Sequence, residues 1–144
     1  MEGRNILIQH LQKIRKQEFY KRLVRIIFLS FFAVLSPLAI VDQFKEQDIF
    51  TAIFLLIAEL IFIGIVILLY RSAIEFNNIS NSRIYQCIDS PEKITEIVVT
   101  PTKIVFEIKG MEDETIFLND NSFRKEFLAS VKNVFGNNKI VIQN

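Results

Sequence analysis

Residues 49–70 read IFTAIFLLIAELIFIGIVILLY, a 22-residue run in which Glu59, near the midpoint, is the only charged side chain. At ~1.5 Å of rise per residue, the run meets the roughly 20 apolar residues that a spanning helix needs. A carboxylate at the centre of such a helix costs roughly 3 kcal/mol on insertion scales. Something must compensate for it. The stretch predicts a membrane protein and marks the one position where the chain breaks the rules of its solvent.

Working outward, residues 23–41 (LVRIIFLSFFAVLSPLAIV) form a second apolar block, charged only at Arg25. Between the two blocks lie seven residues, 42–48 (DQFKEQD), a connection short enough to require an antiparallel pair. The expected fold is therefore an integral membrane α-helical hairpin with transmembrane helices at 23–41 and 49–70 and an extracytoplasmic loop at 42–48. The 51% hydrophobic content and the positive mean hydropathy of +0.32 come largely from these blocks. Block 23–41 reads as a retained span rather than a cleaved leader. Its apolar core exceeds the usual ~7–15 residues, and no small-x-small site follows it. Pro37, behind Ser36, removes one helical hydrogen bond and is expected to kink the span or loosen its last turn.

The net charge of +1 hides an uneven distribution. Residues 1–22 hold six Lys/Arg against two acids, whereas the loop holds one Lys and three acids. Basic flanks stay cytoplasmic, so both termini are expected inside and the loop outside. The expected location is a bacterial inner membrane, with Ile/Asn/Lys-rich usage pointing to an AT-rich genome. Residues 1–22 read as a basic amphipathic juxtamembrane helix. Leu7, Leu11 and Ile14 share one face, while Lys13, Arg15, Lys16, Lys21 and Arg22 are expected to contact lipid headgroups. Those charges also suffice simply to fix topology.

Past the second block, residues 71–83 read as a helix extension and linker, with the Asn/Ser-rich NNISNS at 77–82 as the break. Residues 84–144 read as a small cytoplasmic α+β module. Residues 103–109 (KIVFEIK) alternate as a strand; 94–100 (ITEIVVT) precede them and 114–118 (ETIFL) follow the turn at 110–113. Asp120-Asn121-Ser122 opens a helix whose stripe is Phe123, Phe127, Val131 and Phe135 and whose end is Gly136. A short strand, 139–142, closes a β-β-β-α-β order, expected as an antiparallel sheet with one covering helix. Three strands followed by a helix resemble the second half of pleckstrin-homology-like domains. The module is too short for a whole one, and no family motif accompanies it. Its uncovered sheet face, with Lys103, Val105, Glu107 and Lys109, is the expected docking face.

Enzyme chemistry is not indicated. Four scattered glycines make no phosphate loop, and one His with one Cys cannot assemble a common zinc site. No catalytic, cofactor or metal residues are assigned, nor any small-molecule substrate or nucleic-acid surface. His10 reads as interfacial, Cys87 as a partly buried small apolar residue, and Glu112-Asp113-Glu114 as a solvated turn.

Three readings of Glu59 remain open. It is a neutral carboxyl bonded to a hydroxyl, with Ser30 and Ser36 each within about 3–6 Å axially in a hairpin. Or it is polar glue to another subunit, worth about 1–2 kcal/mol. Or it lines an ion or proton path, although the spans offer few other polar groups, Ser30, Ser36 and Thr51, with Arg25 at one edge. The functional expectation is a non-enzymatic accessory or scaffold subunit that docks a cytoplasmic partner, or assembles as a homo-oligomer or larger complex. The alternative is an oligomeric conducting or pore-forming effector that uses Glu59 and is gated by the module.

Overall fold

A computed structural model describes residues 2–45, 49–118 and 120–143, with the side chains at 34, 35, 38, 39 and 42–45 left aside. Among these residues four helices occur, α1 (Glu2–Lys45), α2 (Ile49–Asn77), α3 (Arg83–Cys87) and α4 (Asn121–Phe135), with short 3-10 turns after three of them. Four strands, β1 (Ile94–Val99), β2 (Lys103–Ile108), β3 (Glu114–Phe117) and β4 (Ile140–Ile142), make one sheet. The chain divides into two compact units, Met1–Arg15 with Asn78–Asn144, and Lys16–Asn77.

In the first unit the sheet order is β3-β2-β1-β4. Tight connections make β1/β2 and β2/β3 antiparallel, with Ile97 opposite Phe106 and Ile104 opposite Ile116. The sheet is mixed rather than wholly antiparallel, because β4 runs parallel to β1, with Val98 beside Val141. The cause is the connection. A helix, not a turn, carries the chain from β3 to the far edge, and such a crossover returns it in the direction of the strand it left.

Local chemistry explains α4. Asp120 Oδ1 accepts from the backbone N–H groups of Ser122 (2.8 Å) and Phe123 (3.2 Å), satisfying two of the four donors a helix start leaves open. The stripe Phe123, Phe127, Val131 and Phe135 is buried, and the Phe127 and Phe135 rings lie 6.4 and 6.2 Å from the Phe106 ring of β2. Gly136 then takes φ +89°, a conformation side chains disfavour, and the helix stops.

The core holds one component from outside residues 84–144. Leu7, Leu11 and Ile14, at 0, 2 and 8% exposure, belong to the same buried cluster as Ile84, Cys87, Phe106 and Phe127. The apolar stripe that opens α1 is thus covered by protein and not by lipid. Burying a side chain such as Leu is worth about 1.5–3 kcal/mol. A sheet with a single covering helix is marginal alone, and this stripe enlarges its core.

In the second unit, α1 continues through Pro37 to Lys45, beyond the expected boundary at residue 41. Of the expected loop 42–48, residues 46–48 lie outside the described residues. Among those described, α2 is the one helix long and apolar enough to cross a membrane. The two-span hairpin is therefore not established, and the expected span at 23–41 includes side chains outside the described set. Two contacts run in opposite senses along the helices: Ser36 to Glu59, and the Arg22 guanidinium over the Phe76 ring at 4.0 Å. The two helices are antiparallel. Ala52 and Ala73 are fully buried, while most large side chains of α2 are exposed.

Candidate functional site

Glu59 projects from the middle of α2 into a cavity of about 370 Å³ shared with Phe32, Ile40, Leu55, Ala58 and Phe62. Its Oε2 accepts a short hydrogen bond from Ser36 Oγ on α1. The same hydroxyl oxygen lies 3.5 Å from the Ala33 carbonyl, which Pro37, lacking an N–H, leaves without its usual helical donor. Ser36 therefore serves a side chain on the facing helix beside the point where its own helix has lost a bond. Ser30 is not brought to the carboxyl; its hydroxyl donates to Ile26 O at 2.8 Å, within α1. Glu59 Oε1 is buried and has no hydrogen-bond partner among the described residues.

The cations expected at lipid headgroups divide by environment. Lys16 and Lys21 are exposed, with Lys21 paired to Glu18 at 2.6 Å, and Arg22 is half-buried against Phe76. Lys13 lies 4.5 Å above the Phe123 ring of α4, a cation–π contact within the module. Arg15 departs from the expectation. At 7% exposure it turns inward, donating to Asn78 O at 2.8 Å and approaching Glu114 at 3.4 Å. The reason is its helix face: position 15 lies one turn after buried Leu11, so its side chain reaches the seam between α1, β3 and the start of α3.

The sequence predicts a solvated turn at Glu114 and carries no signal of its role. Its carboxylate accepts from Ser82 Oγ (3.0 and 3.1 Å) and from Ile84 N (2.8 Å), so it caps α3 together with Ser82. His10 is likewise more than interfacial. Its Nδ1 lies 3.2 Å from Ser130 Oγ, and that hydroxyl donates to Phe127 O at 2.6 Å. The imidazole is therefore the donor to Ser130. Burial pushes its pKa down, partly opposed by Glu126 and assisted by Lys13. Burial also raises the Cys87 thiol, the one cysteine of the chain.

On the sheet's outer face Lys103 is exposed and Val105 and Glu107 are half-buried, alternating with buried Ile104, Phe106 and Ile108; Lys109, just past the strand, is exposed. Val105 stands opposite Val98, and Glu107 opposite Glu96. Like charges placed directly opposite are mildly unfavourable. Compared with family models, curated proteins and solved structures, the chain finds no match.

Proposed function

We propose that this chain is a non-enzymatic, membrane-anchored accessory or scaffold subunit, seated in a bacterial inner membrane with both termini cytoplasmic and 23–41 and 49–70 as its two spans. In this reading the helices assemble with further copies or with other subunits, and the module docks a cytoplasmic protein through Lys103, Val105, Glu107 and Lys109. One observation carries it. Among the described residues Ser36 is the only polar side chain in the wall around Glu59; the rest are Phe32, Ile40, Leu55, Ala58 and Phe62. A water-filled path would be lined by more polar groups, whereas a single hydrogen-bonded pair among apolar side chains suits helix packing and assembly.

The test is gentle detergent extraction followed by native mass measurement. The expected result is an assembly that survives Glu59→Gln, which keeps a hydrogen-bonding group, and is weakened by Glu59→Leu. An assembly indifferent to both changes, with ion flux abolished by Glu59→Gln, would replace this reading with the conducting one.

A further inference from the structure

We propose that the groove between α1 and α2 formed by Arg22, Arg25, Ile26, Leu29, Leu69 and Ser72, about 310 Å³ in volume, binds the phosphate headgroup of an anionic phospholipid. The proposal rests on the membrane reading given above.

Arg22 and Arg25 are three positions apart on α1, so they project from one face. Arg25 lies inside the apolar run 23–41, and among the described residues no carboxylate pairs with it. A cation in such a segment needs an anion or water at its head. The Arg22 guanidinium lies over the Phe76 ring at 4.0 Å, and a guanidinium over a ring still presents N–H donors at its edge. Ser72 adds a hydroxyl from the opposite helix.

The groove is also graded like the ligand. Its polar groups, at 22, 25 and 72, gather toward the basic end. Leu29 and Leu69 lie four and three positions further into the apolar runs. A phosphate between the two arginines, held by charge-assisted bonds, would leave its acyl chains running over those leucines. Basic pockets between helices at the cytoplasmic boundary are where anionic headgroups bind.

The experiment uses the full chain, reconstituted in nanodiscs of mixed phosphatidylglycerol and phosphatidylcholine, extracted gently and weighed with its retained lipid by native mass spectrometry. The expected result is retained phosphatidylglycerol in preference to phosphatidylcholine. Arg25→Gln and Arg22→Gln each lower that retention about tenfold, the scale of one charge-assisted phosphate contact. Lys16→Gln and Lys21→Gln remove the same charge outside the groove and leave it unchanged. Equal loss in the lysine variants would mean general surface charge, and unchanged retention in an Arg22→Gln/Arg25→Gln double variant would mean no site; either overturns the proposal. Displacement of the lipid by millimolar inorganic phosphate would reassign the groove to a free anion. Alkaline carbonate extraction of the same variants separates the two ideas: a chain released from the membrane sinks the membrane reading, whereas one that stays embedded without lipid preference sinks only the site.

Discussion

Arg15 and Glu114, ninety-nine positions apart, meet at 3.4 Å and tie the first helix to the third strand with side-chain exposures of only 8% and 19%. The same carboxylate caps α3 through Ser82 and Ile84. Removing it strips a buried guanidinium of its carboxylate and leaves the Ile84 N–H without its acceptor. Glu114→Ala is therefore expected to destabilise the module by about 3 kcal/mol. Thiol labelling of buried Cys87, which reports opening of the module, should accelerate accordingly.

The stripe that opens α1 makes a separate prediction. Leu11 is 2% exposed within the module's core. Leu11→Ala should cost about 2–5 kcal/mol and expose Cys87, although it lies more than seventy residues from it in sequence. A helix lying on lipid would lose far less, and Cys87 labelling at the wild-type rate would contradict the packing described.

His10 links stability to pH. Its folded value lies below the ordinary imidazole value of 6.5 because of burial. Between the folded value and 6.5 the unfolded chain binds more protons, so stability rises with pH across that window. The contribution is complete above 6.5 and is lost as pH falls through the folded value. Denaturant midpoints followed by circular dichroism should show this slope in the wild type and a flatter one in His10→Asn.

Two glycines should respond oppositely to alanine. Gly136 has φ +89°, and an added Cβ would sit 2.8 Å from Asn138 Oδ1, so Gly136→Ala should cost about 1–2 kcal/mol. Gly64, within α2, has open space around its would-be Cβ. Gly64→Ala should be neutral or stabilising by up to about 1 kcal/mol. Thermal melts of the two variants make the comparison.

The sequence by itself determined the elements whose pattern is local. The alternation in 103–109, the capped and striped helix ending at Gly136 and the apolar run at 49–70 are each legible because residues a few positions apart declare a face. A face, however, does not name what covers it. Only the tertiary structure decided that Leu7, Leu11 and Ile14 meet the core of a module that begins seventy or more residues later rather than lipid. It also turned Arg15 inward to Glu114, chose Ser36 over Ser30 for Glu59, and set β4 parallel to β1. Each of those outcomes depends on which distant surfaces come together. Burial and hydrogen-bond satisfaction fix that only when the whole chain is packed.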